Sequence, residues 1–387
     1  MKIDSKTGIC AFVVSVAFTL LSMYLFSWLL GAIFGESSRH DMSRASSMRT
    51  NMDTSISRLV DLTFVSEDLM INILWINKPV WVNLQSINQG LAITCPYKNC
   101  RMTDNAKNIK QNSALVFSAQ DELIATIHPK NKPFGQVWIF LRMEPPTRDK
   151  VRWISDPIWS KTMNWSWGYR LDSDIFRPVQ TLVTRKTPPE RNYIDIFKRK
   201  TKVAAWVVSN CKTQSRRVEY VEQLIRYGVP IDVIGKCSRE KQKIDSNSIE
   251  ALINKHYKFY LSFENSFCKD YVTEKFYSYY NLDVITIVRG GINYTQHFDG
   301  TTFINAADFK SAKALANYIL LLNSDEELYI KYLKQKDRYE AKSIQAIQHE
   351  TNCRLCERLN NKEKYYNLYE NISKYIFKDT CYTPTDL

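Results

Sequence analysis

From Ile71 onward the chain alternates short apolar runs with polar segments. Ile71–Ile76, Leu91–Thr94, Ala114–Phe117 and Val137–Leu141 come first. Such near-continuous runs predict buried strands of a mostly parallel sheet, with helices between them. The pattern stops at Arg185 to Lys202, a basic stretch carrying Pro188-Pro189 that reads as a linker, and then starts again. Val203–Val208, Ile231–Ile234, Tyr257–Phe263, Val284–Val288 and Phe303–Asn305 read as strands. Arg216–Tyr227 has helical spacing of Val218, Val221, Leu224 and Ile225, and Phe309–Leu322 and a segment from Asp325 follow as helices. The expectation is an α/β protein of two successive halves, 71–185 and 186–387.

The segment before Ile71 is different in kind. Thr7 to Gly35 carry no charge, which exceeds the roughly 20 apolar residues needed to span a bilayer and the shorter apolar core of a cleaved signal peptide. A cytoplasmic tail (1–8), a membrane signal-anchor (9–34) and a polar stem (35–70) are predicted. Lys2 and Lys6 favour a cytoplasmic amino terminus and a lumenal body.

Composition adjusts this picture in two ways. Of the chain's net charge of +13 only +1 comes from Lys2, Asp4 and Lys6, so the body carries the excess; nucleic acid is not an expected partner there and a phosphate-bearing small substrate fits better. Of nine cysteines, Cys10 falls in the predicted span and the other eight can pair in an oxidising compartment. Cys95, Cys100, Cys353 and Cys356 are candidates to staple the two ends of the body together, with a four-thiolate zinc site as the alternative. Asn164, Asn293 and Asn371 head glycosylation sequons, in keeping with a lumenal body.

Two places carry candidate chemistry. Val137–Leu141 runs into Arg142-Met143-Glu144-Pro145-Pro146, so the prolines stop the strand and leave Glu144 at its carboxyl end, where open α/β sheets bind ligands. Tyr257 to Lys275 passes from a buried strand through Glu264-Asn265-Ser266 into a helix for which Asp270 suits the N-cap. Strand, polar loop and helix N-terminus make an anion-binding corner without a glycine-rich fingerprint. Trp153 to Asp174, dense in tryptophan and charge, suits either sugar stacking or core packing.

FENSFCKDYVTEK at 263–275, AWVVSNC at 205–211 with SRRVEYV at 215–221, MEPP at 143–146, YRLDSDI at 169–175 and FINAADF at 303–309 together resemble the α1,3-fucosyltransferases. These are Golgi enzymes that move L-fucose from GDP-fucose onto glycans. The resemblance implies two facing Rossmann-like domains of the glycosyltransferase B type, acceptor mainly in the first and donor in the second. It implies donor binding by Arg217, Asn265, Tyr271, Glu274 and Lys275, with Glu144 as general base. It implies GDP-fucose and a glycan on a glycoprotein or glycolipid as partners, a lipid bilayer contacted by 9–34, no essential cofactor, and a divalent cation at most as a stimulant. Asp172-x-Asp174 resembles a structural part of the family rather than a metal site. Pro145 departs from the more usual serine, and Leu115–Gln120 lacks the family's frequent histidines. Alternatives from other classes are a glycan-binding or scaffold protein on an inactive transferase fold, or another nucleotide-sugar transferase of the same architecture.

Overall fold

The computed structural model describes residues 70–118, 127–148, 153–238 and 246–387. The predicted tail, anchor and stem lie outside them. Among the described residues no helix is long and apolar enough to cross a membrane.

Two parallel sheets organise the body. The first contains β1 (Ile71–Trp75), β2 (Cys100–Thr103), β3 (Ala114–Ser118), β4 (Val137–Arg142), β5 (Trp165–Gly168) and β6 (Ile175–Phe176), in the order β2-β1-β3-β4-β5-β6. After β7 (Leu182–Thr184), the second contains β8 (Lys202–Val207), β9 (Ile231–Ile234), β10 (Tyr257–Phe263), β11 (Ile285–Arg289) and β12 (Ile304–Asn305), in the order β12-β11-β10-β8-β9. β7 and β13 (Tyr339–Ala341) form a short antiparallel ribbon. Numbered within their own sheets, the second follows the order 2-1-3-4-5 of doubly wound folds and the first the same order with a sixth strand added, 2-1-3-4-5-6. Each therefore has a topological switch point, β1/β3 in one and β8/β10 in the other, where the loops at the strands' carboxyl ends diverge and leave a crevice.

The central strands are apolar because both faces are covered: every residue of β3, β4 and β10 is buried. Three expectations need correction. Leu91–Thr94 is the end of the helix Leu84–Ile93 and its C-cap, not a strand: Ile87 and Leu91, four apart, form its buried face. The linker is not all loop, since Tyr193–Arg199 is a helix capped by Asn192. The second half does not keep its own carboxyl end. Helix Ile344–Asn360 puts Leu355, Cys356 and Leu359 into the core of the first sheet, and helix Ile372–Phe377 puts Ile372 and Ile376 into the cluster on that sheet's other side.

Disulfides hold that return. Cys95–Cys353 and Cys100–Cys356 join the four cysteines singled out from the sequence, so their thiols are not available to a zinc ion. Cys211–Cys237 and Cys268–Cys381 complete the eight. The tryptophans turn out to be core: Trp153 and Trp159 pack with Phe117 and Trp138 in a cluster of tilted and edge-on rings.

Candidate active site

The corner after β10 is built by burial and a few polar bonds. Glu264, the first residue beyond the strand, is 0% exposed. Its carboxylate accepts from Thr273 N at 2.8 Å and Thr273 Oγ1 at 2.9 Å, and Lys275 Nζ lies 3.3 Å away. Burial pushes the Glu264 carboxyl above the ordinary carboxylate range, against the pull of Lys275. The strand end is thereby tied to the start of helix Glu274–Tyr280, whose N-cap is Thr273. Asp270, the expected cap, adopts a left-handed backbone with φ of 58° and accepts from Leu171 N instead. The turn after β11 closes over this loop so tightly that a Cβ on Gly291 would sit 2.3 Å from Cys268 N, which requires glycine.

Lys275 donates to Thr273 Oγ1 at 2.7 Å and to Glu274 Oε1 at 3.1 Å. Burial opposes its charge, but Glu264 and Glu274 outweigh it and hold the ammonium above the usual lysine range. Burial likewise opposes the Glu274 carboxylate. Lys275, together with hydrogen bonds, brings it below the usual range. The Asn265 side chain is buried with no partner for its Oδ1, an acceptor left for a ligand.

Arg216 and Arg217 part company. Arg216 takes a left-handed backbone, is exposed, and pairs with Glu219 of its own helix. Arg217 opens helix Arg217–Arg226 and is 3% exposed. Its Nη1 donates to Phe263 O at 2.8 Å and its Nη2 to Asn210 O at 3.1 Å, bridging the ends of β10 and β8 across the switch point. Arg217 therefore sits behind the corner, not on the cavity wall, with Nε buried and unpartnered.

The facing lobe supplies Glu144. Its loop touches the corner directly: Thr147 Oγ1 bonds to Ser266 Oγ, and Tyr271 Oη reaches Glu144 Oε2 at 3.5 Å, the long end of hydrogen bonding. Glu144, Asn265, Tyr271, Thr273, Glu274 and Lys275 all line one cavity of about 450 Å³ between the sheets, whose wall also includes Trp81 and Arg177. The structure thus gathers five of the six predicted catalytic and donor residues on one surface and places the sixth, Arg217, behind it. A carboxylate faces a lysine and unsatisfied amide oxygen across a gap of ligand size, which suits proton removal on one side and stabilisation of a developing anion on the other.

Asp172 and Asp174 are spent elsewhere. Asp172 accepts from Arg170, Lys269 and Tyr375, and Asp174 from Ser166, Asn367 and Tyr369. Of the sequons, Asn293 is exposed and Asn371 caps its helix. Asn164 is half-buried: its Oδ1 accepts from Trp138 N and Lys132 Nζ, and its Nδ2 donates one hydrogen bond, to Asn367 O.

Sequence reasoning missed Glu264, which sets the corner through Thr273 and Lys275. It carried one usable signal, an acid directly after an all-apolar strand.

Residues 69–180 match the family model described as fucosyltransferase, N-terminal, and residues 197–375 match that of glycosyltransferase family 10 (fucosyltransferase), C-term. Alpha-(1,3)-fucosyltransferase fut-5 of Caenorhabditis elegans is 30% identical over 298 residues, 73% of this chain and 76% of the relative. Glycoprotein 3-alpha-L-fucosyltransferase A of Drosophila melanogaster is 31% identical over 280 residues, 71% of this chain and 53% of the relative. A crystal structure of an alpha1,3-fucosyltransferase shares the fold, with a TM-score of 0.53 at 15% identity over 79% of this chain and 94% of the other.

Proposed function

Since the chain belongs to the glycosyltransferase family 10 fucosyltransferases, we propose that it moves L-fucose from GDP-β-L-fucose to a hydroxyl of a GlcNAc-containing glycan with inversion, forming an α1,3 linkage. One observation supports this reading: Glu144 lines the same cavity as Asn265, Tyr271, Glu274 and Lys275. The acceptor hydroxyl attacks the anomeric carbon from the face opposite GDP, and Glu144 takes its proton as the new C–O bond forms. The anomeric carbon–oxygen bond to the diphosphate breaks, and the electron pair leaves with GDP. Lys275 stabilises that growing charge directly. Arg217 adds positive potential from behind and fixes the two loops that face the phosphates. Asn265 Oδ1 and the Glu274 carboxylate are acceptors for donor hydroxyls or base N–H groups, and Tyr271 lies between donor side and base.

The test is release of GDP from GDP-fucose by the full-length chain, dependent on a GlcNAc-terminated glycan, with linkage analysis of the product. An α1,3-fucosylated product supports the reading. GDP binding with no transfer across a broad acceptor panel would indicate a glycan-binding protein on an inactive fold, and transfer from a different nucleotide sugar would indicate another transferase.

The proposal extends to location: a Golgi membrane protein anchored through residues 9–34 with its body in the lumen. Four disulfides support an oxidising compartment. Protease protection of the body in intact vesicles, lost on adding detergent, is the expected result; cleavage in intact vesicles would reverse the orientation.

A further inference from the structure

Arg177 follows β6 and is 6% exposed. Its guanidinium packs against the ring faces of Trp81 at 5.0 Å and Trp167 at 5.6 Å. Trp81 is 44% exposed and, with Arg177 and Glu144, belongs to the wall of the interlobe cavity. Among the described residues no carboxylate and no hydrogen-bond acceptor meets this guanidinium. Two other buried arginines of the body are held differently: Arg289 has Asp386, and Arg217 has two backbone carbonyls. Burying a cation without a counter-charge is costly, and here burial alone pulls the group down to about 10. Ring faces hold a guanidinium by its plane and leave its N–H edge unfilled.

Such a group matches a forked oxyanion, which takes two parallel N–H bonds and supplies the missing charge. Two sources have that chemistry, the donor's diphosphate and an acidic substituent on the acceptor. Lys275 and Arg217 already provide cations at the donor corner, in the other lobe. Arg177 and both its tryptophans belong to the lobe that carries Glu144, and a half-exposed Trp beside a cation suits a sugar ring bearing an acid. Resting on the functional reading above, we propose that Arg177 is a specificity residue that binds the carboxylate or sulfate of an acidic saccharide acceptor, with Trp81 against the sugar.

The experiment compares full-length parent, Arg177→Gln, Arg177→Lys and Trp81→Ala on matched GlcNAc-containing acceptors that are neutral, carboxylated or sulfated. In the parent, kcat/KM is expected to be about 10- to 100-fold higher for an acidic acceptor than for its neutral match, the range of a charge-assisted pair. Arg177→Gln should remove that preference through KM, leaving neutral transfer within about 2-fold, and Arg177→Lys should restore part of it. Trp81→Ala should weaken all acceptors. GDP affinity by calorimetry should stay within about 2-fold in Arg177→Gln. Equal loss for neutral and acidic acceptors, or a fall in GDP affinity, overturns the proposal, the latter by assigning Arg177 to the donor. If the parent transfers to nothing, the functional reading has failed; if it transfers without preferring acidic acceptors, only this inference has.

Discussion

Glu264→Gln separates what stabilises the fold from what arms the site. The carboxylate is wholly buried, and burial raises its pKa despite Lys275 at 3.3 Å. The sign is informative: a carboxyl raised on folding is one whose charged form the fold disfavours, so neutralising it does not remove net stability. Gln keeps the volume and one acceptor for Thr273 N. It forfeits charge-assisted bonds to Thr273, roughly 1 kcal/mol, and regains a similar amount of desolvation. Stability should therefore stay within about 1 kcal/mol of the parent, a shift of a few degrees in Tm at most. Lys275 loses more. Its ammonium is placed by Glu264, Thr273 and Glu274, and without Glu264 it is free to swing toward the more exposed Glu274. The loss of one charged partner, about 1.5–3 kcal/mol, appears as GDP binding weakened about 10- to 100-fold. Calorimetric titration with GDP and thermal melting measure the two quantities separately. In a double-mutant cycle with Lys275→Met the effects should be strongly non-additive, because both variants disable one cation. Parental GDP affinity in Glu264→Gln, or additive effects in the cycle, would refute the reasoning.

Arg289, with a side chain 1% exposed, is paired by Asp386 and donates to Ser215 O at 2.8 Å, two residues before Arg217. Asp386→Asn should lower stability by about 1–3 kcal/mol, discounted because Asp386 is 37% exposed, and should weaken GDP binding; a thermal melt and a GDP titration check both. The pH dependence follows Lys275, whose pKa is raised on folding. Its contribution is complete below the ordinary lysine range, near 10.4, and is lost as pH rises through the higher folded value. GDP affinity should therefore hold from pH 7 to about 10 and fall above it, with the fall moved to lower pH in Glu264→Gln. Removing Cys95–Cys353 by paired alanine substitutions should cost about 2–5 kcal/mol, seen as a lower Tm, since the bridge closes a separation of 258 residues.

Much of this architecture could be read along the chain because both sheets are buried on two faces. β9 and β10 begin and end where their apolar runs do. Leu91–Thr94 misled because a short apolar run does not distinguish strand from helix, and only the partner Ile87 one turn earlier settles it. The helix after β10 starts at Glu274 rather than near Asp270 because the local preference of Asp for an N-cap lost to a tertiary bond: Glu264 fixes Thr273 as the cap. The placement of Glu144 and of 265–275 on one cavity was legible since each lies at a strand's carboxyl end, a position fixed by topology. The surroundings of Arg177 were not, because they depend on Trp81 from the turn after β1, on Trp167 from β5, and on the lack of any acid facing it among the described residues. The same limit hid the return of residues 344–377 to the first sheet, which only the paired cysteines hinted at.

Glu144→Gln bears most directly on the central claim that an acid from one lobe removes a proton across the cleft from a cationic donor corner. Measured on the full-length chain, transfer should drop by about 10²- to 10⁴-fold, the usual contribution of a general base, while GDP affinity stays within about 2-fold. Transfer at the parental rate would contradict it.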